Sequence, residues 1–220
     1  MNNRDIIQKQ IINQGFLPLY YHENAETSIS VLTSLYNGGV RIVEYTNRGA
    51  NALSNFKEML KLVREKMPEM KLGIGTIKTT RDAEVFIEAG ADFIICPVVN
   101  PQVAKIVSNA GLLWIPGCMT PTEIHTAESN GATLVKLFPG NILGPTYVSG
   151  IRDLFPHLLF MPTGGVELNK ENLQSWFDSG VCAVGFGSKF ISKSIMENRQ
   201  YEELQQLTIQ AFQLIKSITR

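Results

Sequence analysis

One lysine interrupts an otherwise uncharged apolar run: Lys136, within Gly131-Ala-Thr-Leu-Val-Lys-Leu-Phe-Pro-Gly140. Such a run reads as a buried strand, where an ammonium is costly unless something compensates it. Two readings stand for such a residue. It is a free amine poised as a nucleophile, or it is structural, either in an ion pair or snorkelling outward. Glu44, in Glu44-Tyr-Thr-Asn-Arg48, is the carboxylate whose register suits either a counter-ion or an acid–base partner. Arg48 reads as a solvated loop cation or as a bidentate clamp for a carboxylate. Thr76 and Thr163 are strand-end hydroxyls, structural or donating to a ligand. The turns Pro162-Thr-Gly-Gly165 and Gly185-Phe-Gly-Ser188 let backbone N–H groups approach an anion closely, which marks Gly164, Gly165, Gly187 and Ser188 as candidate phosphate binders. His22, His125 and His157 are scattered with no metal-ligand spacing, so neither a metal nor another cofactor is expected.

The elements that must position these residues alternate along the chain. A short amphipathic helix over 4–14 precedes strands expected at 16–21, 40–46, 71–77, 93–98, 112–118, around Lys136, 158–163 and 182–187. Helices are expected between them at 26–37, 50–67, from Thr79 or Thr80 to Gly90, from Pro101 to Gly111, from Thr120, over 145–154 and over 169–178, with a last one at 201–218. Thr120-Pro121-Thr-Glu123 carries a capping signal with proline at the first helical position. Pro18 weakens the first strand. Eight strands alternating with helices predict a single-domain (β/α)₈ TIM barrel spanning 1–220, with an N-terminal helix. A doubly wound sheet fits less well, because His22-Glu-Asn-Ala after the first strand is no glycine phosphate loop.

A weak internal repeat fixes the register. Gly39, Gly90, Gly131 and Gly180 each end a helix before an even-numbered strand, and five residues later stand Glu44, Ile95, Lys136 and Gly185. Alternate strands of such a barrel supply the four side chains of one interior layer. Glu44 and Lys136 then face each other across the interior near the strand carboxyl ends, where barrel enzymes build their sites. Phosphate sites in this fold frequently use the loops after strands seven and eight, which here carry the two glycine turns. Arg41 and Asp92, at strand starts, read as charges of the stability face. Trp114, Trp176 and the phenylalanines read as packing.

Composition sets outer bounds. Twenty basic residues balance twenty acidic ones in 220, with 44% hydrophobic and 18% charged residues, so neither a nucleic acid nor a membrane is an expected partner. The start Met-Asn-Asn-Arg-Asp shows no signal-peptide pattern, and no apolar run approaches membrane-spanning length. Cys96, Cys118 and Cys182 fit a reduced, cytoplasmic setting.

Together, Gly38-Gly-Val-Arg-Ile-Val-Glu-Tyr-Thr-Asn-Arg48, Gly73-Ile-Gly-Thr76, Ile115-Pro-Gly117, Val135-Lys-Leu-Phe-Pro139, Pro162-Thr-Gly-Gly-Val166 and Gly185-Phe-Gly-Ser188 resemble the class I 2-keto-3-deoxy-6-phosphogluconate (KDPG) and 4-hydroxy-2-oxoglutarate aldolases. The resemblance runs from about 16 to 190. It implies a homotrimer acting on a small 2-keto acid, with a Schiff-base lysine at Lys136 and a general acid/base at Glu44. It also implies that Arg48, Thr76 and Thr163 bind the pyruvoyl carboxylate and nearby hydroxyls, and that the turns at Gly164-Gly165 and Gly187-Ser188 cradle phosphate. The chain departs from the family pattern at Pro97-Val98-Val99, Tyr45, Asn47, Gly140 and Lys189, which spares the nucleophile and base and bears on distal specificity. Another phosphate-binding barrel enzyme (an isomerase, epimerase or synthase) and a non-catalytic barrel subunit are the rival readings.

Overall fold

The computed structural model describes residues 2–218. Helix α1 (Asn3–Gln14) is capped by the Asn2 side chain and ends at Gly15, whose φ of 77° needs a glycine. There follow β1 (Phe16–Tyr20), α2 (Ala25–Asn37), β2 (Ile42–Thr46), α3 (Ala52–Lys66), β3 (Lys71–Gly75), α4 (Thr80–Glu88), β4 (Phe93–Ile95) and α5 (Pro101–Asn109). The remainder holds β5 (Leu113–Ile115), β6 (Gly117–Cys118), α6 (Pro121–Ser129), β7 (Leu134–Leu137), α7 (Gly140–Ile151), a 3₁₀ turn (Arg152–Leu154), β8 (Leu159–Pro162), α8 (Lys170–Asp178), β9 (Val184–Phe186), α9 (Lys193–Glu197) and α10 (Tyr201–Ser217). Thr120 and Glu123 form the expected capping box, and Thr79 caps α4. The short α9 was not anticipated from sequence. The helix expected at 145–154 does start at Pro145, after Gly144 leaves helical geometry (φ 72°, ψ 167°); a first turn from Gly140, not expected from sequence, precedes the break.

All strand pairings are parallel, and they build a curled sheet in two parts. Six strands run in the order β5-β4-β3-β2-β1-β9 and three in the order β6-β7-β8. This differs from the single eight-stranded ladder expected from sequence, and Pro116 is the physical reason. It has no N–H to donate, so the segment expected as one strand over 112–118 splits there. β5 pairs with β4 before the proline and β6 pairs with β7 after it. Pro116 still accepts a hydrogen bond from Lys136 N at 2.9 Å. At the other junction Thr163 and Gly185 form one parallel bridge, and Cys182 N donates to Phe160 O at 3.0 Å.

Pro18 is tolerated because Gln14 substitutes for missing ladder bonds. The Gln14 side chain donates to Phe16 O at 2.7 Å and Ile42 O at 2.9 Å, and its Oε1 accepts from Arg41 N at 2.8 Å and Ile42 N at 3.2 Å. The strand-start charges also serve pairing. Asp92 Oδ2 accepts from Leu72 N at 2.8 Å while Oδ1 meets Arg64, and Arg41 pairs with Glu69.

Alternation of side chains across the strands sorts the core into two. Val43, Tyr45, Leu72, Ile74, Val135 and Phe160 face the helices. Leu17, Ile42, Phe93, Ile95, Leu134 and Met161 face inward, joined by Ile7 and Ile11 of α1. Two residues along the strand from Ile42 and Leu134, on the same inward face, come Glu44 and Lys136.

Candidate active site

β7 carries Lys136 and β2 carries Glu44 into the interior, where they are 6% and 1% exposed. Lys136 Nζ lies 3.4 Å from Glu44 Oε1 and 3.3 Å from Oε2. These contacts are longer than the about 2.7–2.9 Å of a tight charge-assisted bond, so the amine faces both oxygens without being locked to either. Among the described residues Glu44 is the one hydrogen-bonding partner of Nζ, and the Phe138 ring lies 5.8 Å away. Cys96 is close enough to feel both charges, but burial first of all pushes its thiol up to about 12, against a lowering hydrogen bond from Trp114 Nε1 at 3.3 Å. The thiol is therefore no rival nucleophile near neutral pH.

Inward glycines make the room. A Cβ at Gly73 would fall 2.3 Å from the Phe93 ring, one at Gly75 1.7 Å from Glu44 Oε1, and one at Gly185 2.2 Å from Thr163 Oγ1. Glu44 can hold its position only because β3 presents no side chain at Gly75. Gly75→Ala must displace the carboxylate, and if Glu44 takes part in a reaction the expected result is a fall in kcat of about 10²-fold, the effect of misplacing a reacting group by roughly an ångström. Steady-state kinetics beside a circular dichroism spectrum of the variant measures this; native kcat in a folded Gly75→Ala protein contradicts the placement.

Above the pair opens a cavity of about 340 Å³, lined by Leu19, Tyr20, Tyr21, Arg48, Phe138, Thr163, Gly164, Gly165, Gly187, Ser188 and Lys189 among others. Lys136 and Glu44 do not line it. Both are buried: Lys136 lies two residues before Phe138 and in register with Met161, two residues before Thr163, and Glu44 reaches it from β2. Thr163 lines this cavity at 5% exposure, and its buried hydroxyl, packed against Gly185, has no hydrogen-bond partner among the described residues. The Arg48 guanidinium is exposed at the rim and has no ion pair among the described residues. Next to it, Gly49 admits the Tyr21 ring, whose hydroxyl would lie 2.1 Å from a Cβ there.

The turn after β8 takes its shape from Gly164 and Gly165, at φ 95° and 73°. A Cβ at Gly165 would strike Asn141 at 2.6 Å, and Gly140 N donates to Thr163 O at 2.8 Å, so the start of α7 packs directly on this turn. Gly187 and Ser188 lie across the cavity mouth after β9. Thr76 stands apart from the cavity lining, half-buried just past β3. Its φ of 63° is rare for a β-branched residue and stores strain at this strand end.

The structure thus brings together Lys136 with Glu44, and around one cavity Arg48, Thr163, Gly164, Gly165, Gly187 and Ser188. Sequence reasoning missed Tyr20, Tyr21 and Lys189 as cavity residues and took Phe138 for packing, whereas it is 37% exposed at the mouth. Their position at strand ends beside the named residues was the available signal. Among the described residues no three His, Cys, Asp or Glu side chains come together as metal ligands, and no helix is long and apolar enough to cross a membrane.

Comparison with known proteins identifies related chains. A family model described as KDPG and KHG aldolase matches residues 7–207. The chain is 30% identical over 201 residues to a 2-dehydro-3-deoxy-phosphogluconate aldolase of Treponema pallidum, covering 90% of this chain and 92% of that one. It is 25% identical over 214 residues to a KHG/KDPG aldolase of Escherichia coli, covering 96% and 97%. The crystal structure of a KDPG aldolase from Legionella pneumophila, with pyruvate captured as a covalent carbinolamine, superposes with a TM-score of 0.83 at 22% identity, covering 92% and 96%.

Proposed function

Because the chain belongs to the KDPG and KHG aldolase family, and is therefore a lyase, we propose that it cleaves KDPG to pyruvate and glyceraldehyde 3-phosphate through a Schiff base on Lys136. It also cleaves 4-hydroxy-2-oxoglutarate to pyruvate and glyoxylate. The observation that carries this reading is the buried Lys136–Glu44 contact beneath a cavity with an unsatisfied Thr163 hydroxyl. Glu44 takes a proton from Nζ, and the freed amine attacks the substrate's C2 ketone. Glu44 returns that proton to the carbinolamine hydroxyl, which leaves as water to give an iminium. The iminium then draws electrons from the C3–C4 bond as the restored Glu44 carboxylate, directly or through a water, takes the C4 hydroxyl proton. The aldehyde leaves, the enamine is reprotonated at carbon, and hydrolysis returns pyruvate and the lysine.

Arg48 is assigned to the keto-acid carboxylate, with Thr163 and Thr76 supplying hydroxyls. Gly164, Gly165, Gly187 and Ser188 are assigned to the phosphate. The exposed rim position of Arg48 supports its part, and the glycine turns on two adjacent strand ends support theirs. For the fold, the finer reading is one domain over 1–220 forming an eight-position (β/α)₈ barrel, the split segment at Pro116 counting as a single position. The bonds across both junctions support it. A homotrimer is the proposed assembly, supported by apolar side chains standing out at the same end (Val98 48%, Met119 39%, Ile142 64% exposed). The buried thiols of Cys96 and Cys118 support a reduced, cytoplasmic setting.

Kinetics with paired substrates test the assignment. The phosphorylated keto-deoxy sugar acid is expected to be cleaved with higher kcat/KM than its non-phosphorylated analogue, read by pyruvate release. Equal values for the two remove the phosphate assignment, and no pyruvate from either removes the aldolase.

A further inference from the structure

The two glycine turns are joined by one ion pair. Lys189, one residue past Ser188, meets Glu167 Oε1, which follows the Gly164-Gly165-Val166 turn. The two partners are not equally held. Glu167 N donates to Asn172 Oδ1 at 2.9 Å, and Glu167 Oε2 accepts from Asn169 Nδ2 at 3.2 Å, so the carboxylate is anchored to the start of α8. Lys189 is 60% exposed and its ammonium has no second partner among the described residues. Lys189 lines the cavity together with Gly164, Gly165, Gly187 and Ser188, and the other cation of that lining, Arg48, is assigned to the opposite end of the substrate. The hydrogen bond and charge of Lys189 hold the Glu167 carboxyl below its ordinary range, so it stays an anion near neutral pH.

An exposed pair of this kind contributes little stability, so giving it up costs little. A phosphate ester carries about −1.5 to −2 charge and three acceptor oxygens, and it outcompetes one carboxylate for a flexible ammonium. We propose that Lys189 exchanges Glu167 for the substrate's phosphate, while Glu167 remains as a fixed anion that opposes phosphate entry and so tunes how strongly phosphorylated substrates are selected. This inference rests on the phosphate assignment above and adds a charged, competing device to a cradle otherwise made of backbone N–H groups.

The exchange and a plain structural strap differ in sign. If the pair only ties the two loops together, Lys189→Met and Glu167→Gln both loosen the cradle and both weaken anion binding. Under the exchange they act in opposite directions. Calorimetric titration of the full-length protein with inorganic phosphate at low ionic strength reads this without relying on turnover. Lys189→Met is expected to weaken phosphate binding roughly tenfold, the worth of a lost charged hydrogen bond. Glu167→Gln is expected to tighten it about threefold, the scale of an exposed charge interaction. With substrates, the ratio of kcat/KM for phosphorylated over non-phosphorylated keto acid should fall in Lys189→Met through KM and rise in Glu167→Gln. Shifts of the same sign, unchanged affinity in both variants, or no phosphate binding even in Glu167→Gln overturn the exchange. Failure of the aldolase reading would show separately, as no pyruvate released by the unaltered protein.

Discussion

Lys136→Ala is expected to lose all measurable keto-acid cleavage. Lys136 is the one lysine among the buried polar residues described, so no other interior amine stands ready to form the iminium. Without it the C2 ketone remains a poor electron sink and the C3–C4 bond does not break. The variant also leaves the Glu44 carboxylate buried without its partner, and breaking such a pair typically costs about 3–5 kcal/mol of stability. Loss of activity must therefore be separated from loss of fold. Lys136→Met keeps much of the side-chain volume, and Lys136→Met with Glu44→Gln removes both charges together, which is often near neutral for stability. Both are expected to fold, by circular dichroism and cooperative thermal unfolding, and to lack cleavage. Cleavage by either folded variant at the native rate removes Lys136 from the chemistry.

Glu44→Gln is the second large effect. The amide keeps the shape of the side chain, and Gly75 still leaves it room, but it cannot accept a proton. Turnover is expected to fall roughly 10²- to 10⁴-fold, the usual contribution of a positioned general acid–base group. Imine formation with pyruvate should be slowed less than cleavage where water can carry protons to and from Nζ. Single-turnover kinetics separates the two steps, and near-native cleavage by Glu44→Gln removes the carboxylate from the mechanism.

The pairing of these two residues was legible in the sequence because helix-ending glycines at equal spacing set equal registers on the even strands. Gly39 and Gly131, each five residues before its partner, placed Glu44 and Lys136 on one inner face, and the structure brings them into contact. The strand–helix alternation was legible for the same reason that buried parallel strands are: unbroken apolar runs between capped helices. The split at Pro116 was not, because whether a proline interrupts a strand or merely edges it depends on which neighbours need its missing N–H. The cavity wall was legible only at its glycines. Phe138 and Tyr21 look like core aromatics in one dimension, and only the curl of the sheet brings them to the cavity wall. The Lys189–Glu167 pair spans 22 residues and two loops, a contact no local pattern encodes.

The proposed nucleophile can be caught directly. Incubating the protein with pyruvate and borohydride, then mapping the product by mass spectrometry, reads which amine forms the imine. One reduced pyruvoyl group per chain is expected, on the peptide containing Lys136, with loss of activity; Lys136→Ala should take up no label, whereas Lys189→Ala should keep it on Lys136. A label on any other lysine, or full activity in a protein labelled at Lys136, would contradict covalent catalysis at this residue.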